Sequence, residues 1–105
     1  MAQFDVYVNP SARQREVVPY IVDVQSGLLD QLPTRWIMPL VTDRYNTGGL
    51  PRRLCPSVLI GGVVLFAWPH QTAPMLAKSL GRAVASLRTE AATLLDALDA
   101  VTSGI

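Results

Sequence analysis

The chain has 105 residues, which is enough for one domain, spanning 1–105, and too few for two ordinary ones. Half of the residues are apolar and only 16% are charged, which excludes an intrinsically disordered chain, because disorder requires low hydrophobicity and high net charge. A small monomer cannot easily bury this much apolar material. We therefore expect a surface reserved for a partner, most simply a homodimer.

Charge and cysteine content narrow the functional classes. Nine basic residues oppose eight acidic ones, and the only close basic pairs are Arg13 with Arg15 and Arg52 with Arg53. Nucleic-acid-binding domains usually gather a basic excess on one face, so we expect no direct binding of nucleic acid. Cys55 is the only cysteine, which excludes an internal disulfide and favours a small buried side chain. The sequence shows neither a signal peptide nor an apolar run of about 18 residues, so we expect a cytoplasmic protein with no membrane contact.

Two strands are predicted in the first quarter of the chain. Residues 3–8 alternate apolar and polar side chains, the pattern of a half-buried strand with Phe4, Val6 and Val8 on one face. Residues 17–25 are β-branched and aromatic, and the pattern places Val18, Tyr20, Val22 and Val24 on one face. Pro19 favours an edge strand, or a position before the ladder begins.

The middle of the chain predicts a third strand, a loop and a hairpin. The strand covers 35–41, with Trp36, Met38 and Leu40 on one face, and Pro39 in it requires an edge or a bulge. Residues 42–53 are polar and broken, which indicates a long surface loop. The glycine pair 61–62 between the apolar runs 57–60 and 63–68 predicts a two-residue hairpin turn. Both runs are apolar on both faces, so we place them at the centre of the sheet or at an interface. A further strand is predicted at 75–80.

The last quarter changes to a helical period. Its apolar residues are spaced four and three apart: Leu80, Val84, Leu87, Ala91, Leu94, Leu98 and Val101. The firm part of the predicted helix is 87–102, with Ser86 or Thr89 as N-cap and Ser103 and Gly104 at its end. Five or six short strands and one C-terminal helix predict a mainly β (α+β) domain, an antiparallel sheet or barrel with a helix packed on it.

The sequence contains few of the parts that chemistry needs. One histidine and one cysteine cannot make a zinc site, and neither glycine pair continues into a phosphate-binding loop. Asp23 and Asp30 are interpreted as a turn cap and a solvated charge, and Trp36 and Trp68 as core or interface residues. The residues alone therefore indicate an interaction module rather than an enzyme, with no catalytic residue, metal or cofactor.

Several segments taken together resemble the CcdB family of toxin–antitoxin modules. They are Gln3-Phe4-Asp5-Val6-Tyr7, Val22-Asp23-Val24-Gln25-Ser26, Leu28-Leu29-Asp30, Met38-Pro39-Leu40, Leu54, Pro56, Val58, Ile60-Gly61 and the terminal Gly104-Ile105. The resemblance implies an SH3-like, barrel-type antiparallel sheet with a C-terminal α-helix, as in CcdB and Kid, and a homodimer. It also implies a bacterial plasmid-maintenance toxin that binds the A subunit of DNA gyrase and poisons that topoisomerase, and that a CcdA-like antitoxin neutralises.

The resemblance further implies a gyrase-binding surface. By position it falls on Leu28, Leu29, Asp99, Thr102, Ser103, Gly104 and Ile105. Two departures stand out. The family pattern has a Phe-Trp pair where this chain has Thr102 and Ser103, and it has an amide where this chain has Asp99. A tryptophan is often an interface hot spot, and a serine supplies neither its area nor its π face.

Three functional hypotheses follow. The first is a gyrase poison whose contacts are co-adapted or redistributed. The second is a CcdB-fold homodimer with weakened or lost toxicity that still binds an antitoxin. The third, more remote, is an endoribonuclease like the MazF and Kid toxins, for which Arg13, Arg15 and His70 are the candidate acid–base residues.

Overall fold

The computed structural model describes residues 2–45, 50–51 and 53–104, and its strands form a nearly closed, barrel-like antiparallel sheet followed by one helix. The strands in this part of the chain are β1 (Asp5–Val8), β2 (Tyr20–Asp23), β3 (Thr34–Thr42), β4 (Ser57–Ile60), β5 (Val63–Ala67), β6 (Ala73–Leu76) and β7 (Ala85–Ser86). The helix α1 covers Ala91–Ser103. The predicted mainly β fold with a C-terminal helix is confirmed.

Strand β3 organises the sheet. It pairs with β2 along one side, and on its other side it pairs first with β6 and then with β5. Along the main path the strand order is β4-β5-β3-β2-β1-β7. Because β3 changes partners along its length, the two ends of this nine-residue strand belong to different parts of the curved sheet.

Pro39 lies inside this central strand, so the prediction of an edge position was wrong. Its carbonyl accepts a hydrogen bond from the Trp68 amide at 3.0 Å, so the backbone C=O of Pro39 faces the side of β3 where β5 and β6 pair. On that side β6 ends its pairing opposite Ile37 and β5 begins opposite Leu40. The missing N–H of Pro39 therefore faces the junction between two partner strands, where the ladder loses little.

Helix α1 starts later than the periodicity predicts. Residues 84–87 are held by β1 instead, because the Val84 amide donates to the Val6 carbonyl and the Leu87 amide to the Phe4 carbonyl, both at 2.8 Å. Ser86 and Thr89 are therefore not the helix N-cap, and Glu90 precedes the helix with no side-chain cap. The predicted end is confirmed at Gly104, whose φ of 72° forms a left-handed C-cap. No helix in the described ranges has the length and apolar character that crossing a membrane requires.

The main core lies between the sheet and α1. Its buried members are Phe4, Val6, Val22, Val24, Met38, Leu40, Val58, Ile60, Leu65, Ala67, Leu87 and Leu94. The predicted faces of β2 and β3 are right for Val22, Val24, Met38 and Leu40. Trp36, predicted on the same face, keeps 43% of its surface exposed.

A second, smaller cluster covers the opposite face of the sheet. It contains Tyr7, Ile21, Ile37 and Leu80, with Val18 packed against it. Tyr7 lies on the opposite face from Val6, as the alternation predicts, but that face is buried there. Val18 is on the other side from the prediction, and Val8 is exposed.

The predicted hairpin is confirmed. Its strands were predicted to lie at the centre of the sheet or at an interface, and the first of these two positions is wrong. Gly61 and Gly62 have φ values of 56° and 81° and join β4 to β5. Strand β4 is at the end of the strand order, and Leu59, Val63 and Val64 are exposed, so the hairpin is not at the sheet centre. The strand predicted at 75–80 is β6, followed by a 3₁₀ turn at Ala77–Ser79. Of the loop predicted at 42–53, residues 46–49 and 52 are outside the described ranges.

The hairpin turn provides a test of backbone conformation alone. A Cβ added at Gly61 or Gly62 meets no atom within 4 Å, so only the positive φ opposes a side chain there. We expect Gly61→Ala and Gly62→Ala each to lower the free energy of unfolding by about 1–2 kcal/mol. The matched control is Gly81→Ala, equally open but without a positive φ, which we expect to be neutral or slightly stabilising. Equal urea midpoints for the three variants would contradict this account.

Burial of two ionisable groups gives the fold an alkaline limit. Burial raises the pKa of the Cys55 thiol, and burial, reinforced by Asp5, raises the pKa of the Tyr7 hydroxyl. The unfolded chain therefore ionises at both groups first. Their contribution to stability is complete below about pH 8.5, where unfolded cysteine titrates, and is lost as the pH rises toward the folded pKa values.

We accordingly expect the urea midpoint to fall between pH 8.5 and 10.5. Tyr7→Phe removes one of the two groups, so its midpoint should fall less steeply over the same range. Cys55, which is buried in the native state, should react with a thiol reagent much more slowly than in the urea-unfolded chain. A midpoint that stays constant to pH 10.5 would contradict the account.

Candidate protein-binding surface

The sequence-predicted contact residues occupy two places in the fold. Leu28 and Leu29 are in a single 3₁₀ turn, Gly27–Leu29, between β2 and β3. Asp99, Thr102, Ser103 and Gly104 are at the end of α1. Ile105 is outside the described residues.

One groove brings these two places together. It has a volume of about 540 Å³, and Leu29 lines it together with Asp99 and Thr102. Trp36, Leu95 and Leu98 complete much of its apolar wall. Leu28, which is 94% exposed, does not line this groove and is part of a smaller hollow formed by residues 27–32. Ser103 and Gly104 do not line the groove.

A buried ion pair anchors the turn that carries the two leucines. The Nε of Arg35 is 2.6 Å from Asp23 Oδ2, and both side chains are almost fully buried. The Nη1 of the same guanidinium is 2.8 Å from Oδ1 of Asp30, which is half exposed. Asp23 ends β2 and Asp30 follows the turn, so one side chain from β3 ties together both ends of the connection. Breaking such a buried pair by removing one partner typically costs about 3–5 kcal/mol.

Shorter hydrogen bonds fix the turn between these two carboxylates. Asp23 Oδ1 accepts from the Gln25 amide at 2.9 Å, and the Gln25 side-chain amide donates to the Leu29 carbonyl at 2.9 Å. The Ser26 hydroxyl oxygen accepts from the Leu28 amide at 3.2 Å. Leu28 and Leu29 are thus displayed on a backbone whose conformation is set before any partner arrives, which lowers the entropy cost of binding.

Sequence reasoning missed this cluster because it interpreted Asp23 and Asp30 as a turn cap and a solvated charge. Asp23 does cap the turn, through the Gln25 amide, and Asp30 is half exposed, but both carboxylates also bind Arg35, the first residue of the predicted strand. Burial by itself lowers the pKa of Arg35, but its hydrogen bonds to Asp23 and Asp30 outweigh this and raise the pKa above its ordinary value. The guanidinium is therefore a permanent cation, and its Nη2 is buried without a hydrogen-bond partner in the described structure.

The end of α1 is polar, and its hydroxyls are already used. Thr102 Oγ1 donates to carbonyls of the preceding turn, those of Leu98 and Asp99, and Ser103 Oγ donates to the Asp99 carbonyl at 2.6 Å. These bonds turn both hydroxyls back onto carbonyls three or four residues earlier in the same helix. The two residues that replace the family's aromatic pair therefore contribute little donor capacity to a partner.

A second ion pair links the helix to the segment before β4. The Arg53 guanidinium bonds both carboxylate oxygens of Asp96, at 3.1 and 3.2 Å. The hydrogen bonds to Asp96 raise the pKa of Arg53. The pair is about half exposed, so it orients the segment more than it stabilises the fold.

The residues nominated for ribonuclease chemistry do not gather at one site. Arg13 lines a second groove, of about 540 Å³, together with Trp68 and Gln71. Arg15 instead donates to the carbonyl of Asn9, and the His70 ring packs against Trp68 with centroids 5.3 Å apart. Neither Arg15 nor His70 lines that groove. In the described part of the chain, no group of three metal-ligating side chains is placed to hold an ion.

Comparison with known proteins agrees with the fold. The family model described as CcdB protein matches residues 3–104, nearly the whole chain. The chain belongs to the CcdB family. Membership makes it a toxin of the toxin–antitoxin kind, in a family that poisons gyrase rather than catalysing a reaction. A search of curated protein sequences returned no match.

The Arg35 cluster provides a stability test with an internal control. Asp23→Ala leaves a buried cation without its nearest carboxylate, so we expect it to lower the free energy of unfolding by about 3–5 kcal/mol. Asp30→Ala removes the half-exposed carboxylate from the same guanidinium, for which we expect a loss of about 0–1 kcal/mol. Urea unfolding at one protein concentration compares the two variants. Equal losses would show that Asp23 is not the main anchor.

Proposed function

We propose that this CcdB-family toxin acts by binding the A subunit of DNA gyrase through the Gly27–Leu29 turn and the end of α1. The observation that carries the proposal is the shared groove, because Leu29 from the turn lines it with Asp99 and Thr102 from the helix. These residues are far apart in the sequence and were assigned to one surface by resemblance alone. Their meeting in one groove supports a common partner.

The chemistry of the surface suits binding to a protein. Leu28, Leu29 and Leu95 are all substantially exposed, although large apolar side chains are usually buried. Covering a leucine contributes about 1.5–3 kcal/mol, which makes such residues good contact points on a preformed turn. The mode of action we propose is therefore inhibition by a bound protein that holds gyrase in its cleaved-DNA complex, with no bond made or broken by the toxin itself.

Two further partners belong to the proposal. We propose a homodimer, because the exposed Leu59, Val63 and Val64 of the β4–β5 hairpin supply apolar surface next to β4, the strand at the end of the described strand order. We also propose neutralisation by a CcdA-like antitoxin, as family membership implies in general.

One observation favours a second candidate, a toxin of weakened potency. The hydroxyls of Thr102 and Ser103 bond the helix carbonyls, so the helix end offers a partner neither an aromatic face nor free donors. Under this candidate the protein binds gyrase weakly or not at all while keeping its antitoxin. Ser103→Trp would then strengthen gyrase binding.

A supercoiling assay with gyrase from the organism that encodes the chain tests the proposal. We expect inhibition together with accumulation of cleaved DNA. Leu28→Ala should weaken inhibition about 10-fold, because it removes most of an exposed side chain that the partner covers. Val84→Ala, another exposed apolar position that lines none of the grooves, is the matched control and should have no effect.

The other outcomes separate the candidates. Binding of an antitoxin without inhibition of gyrase at tens of micromolar toxin would establish the weakened toxin. Absence of any gyrase binding would overturn the proposed target. Degradation of RNA incubated with the purified protein would establish the ribonuclease instead.

A further inference from the structure

The groove contains an aromatic residue, Trp36, which is not among the contact residues that the resemblance implies. Trp36 lies on β3, next to the buried Val24, whose amide donates to the Trp36 carbonyl at 2.9 Å. Its side chain is on the face that α1 covers, yet 43% of it is exposed. The next residues on that face, Met38 and Leu40, are completely buried. The helix therefore covers the core part of β3 and leaves Trp36 in the open groove.

The other groove residues define what Trp36 could bind. Leu29, Pro74, Leu95 and Leu98 form apolar walls. The two glutamine side chains in the lining are already used within the chain, since Gln3 donates to the Val24 carbonyl and Gln25 to the Leu29 carbonyl. The rest of the lining is mainly apolar and aromatic, with the hydroxyl side chains of Ser26, Thr34 and Thr102 among it.

Asp99 is the charged residue of the groove lining. Its carboxylate forms no hydrogen bond or ion pair with any described residue, although the charge of Arg53 is near enough to interact with it. An aromatic face, apolar walls and a carboxylate together match one kind of side chain, a long basic one. Such a side chain packs its aliphatic stem on apolar surface, places its cation on an aromatic ring and pairs with a carboxylate.

We infer that Trp36 is the aromatic anchor of this surface, and that with Asp99 it selects a partner segment presenting a basic side chain between apolar ones. The inference rests on the proposed function, because it takes the partner segment to belong to the A subunit of gyrase. It assigns to β3 the aromatic contact that the family places at the helix end. The polar Thr102 and Ser103 are then compatible with tight binding.

The test is a titration of the gyrase A subunit with four forms of the full-length toxin: wild type, Trp36→Ala, Trp36→Phe and Val84→Ala. Tryptophan hot spots account for large shares of binding energy, so we expect Trp36→Ala to weaken binding about 30-fold or more. Trp36→Phe keeps a ring and should lose less. Val84→Ala should bind as wild type does. Urea midpoints measured alongside show whether each variant is folded.

The results distinguish the inference from the function it rests on. Wild-type binding with less than a threefold loss in Trp36→Ala overturns the role of Trp36 and leaves the proposed target standing. No wild-type binding overturns the target and the inference with it. If Trp36→Ala changes the self-association of the toxin in sedimentation but not its gyrase affinity, the occupant is a second copy of this chain, which also overturns the inference.

Asp99→Asn tests the basic side chain separately. It restores the amide of the family pattern but removes the carboxylate, and we expect binding to weaken about two- to fivefold and to become less sensitive to salt. Stronger binding by Asp99→Asn would overturn the selection of a basic side chain. A third readout uses Trp68→Phe, in which Trp36 is the remaining tryptophan. Gyrase binding should shield its fluorescence from acrylamide, and unchanged quenching would place the contact elsewhere.

Discussion

The surface of this toxin depends on one buried cation. Arg35 at the start of β3 reaches Asp23 at the end of β2 and Asp30 after the turn, so a single side chain closes the connection between two neighbouring strands. An apolar group in its place could hold the strands together, since buried ion pairs rarely exceed a good hydrophobic contact in stability. An apolar group could not bind the carboxylates of Asp23 and Asp30, and Asp23 in turn holds the Gln25 amide of the turn. The charge is thus best understood as a device that sets the position of Leu28 and Leu29.

Strand β3 extends the same constraint to the rest of the molecule. Its alternate side chains serve two different layers. Arg35 and Ile37 face the second cluster and the ion pair, whereas Met38 and Leu40 face α1. Because β3 also exchanges β6 for β5 at Pro39, the sheet curves around it. The curvature leaves a groove where the helix stops covering the strand, and that groove meets the turn held by Arg35.

Local patterns in the sequence predicted what local physics determines. The glycine pair specified its hairpin, Gly104 its helix end, and period-two alternation the buried faces of β2 and β3. The errors occur where distant backbone decides. The apolar spacing that fits a helix already begins before residue 91, but the amides of Val84 and Leu87 bond to carbonyls of Val6 and Phe4, so these residues are not helical. Likewise, nothing in the residues near Asp23 shows that its partner is twelve positions away on the next strand.

The candidate surface shows the same division. Leu28, Leu29 and the helix end were proposed as contacts from resemblance, which transfers positions but not their surroundings. Trp36 could not be found that way, because alternation places it with Met38 and Leu40, and only the path of α1 shows that it is left uncovered. An aromatic side chain can reach the same groove from any element that lines it, whatever its position in the sequence. A groove with walls from β3, the turn and α1 can therefore lose an aromatic residue from one wall and keep its chemistry through another.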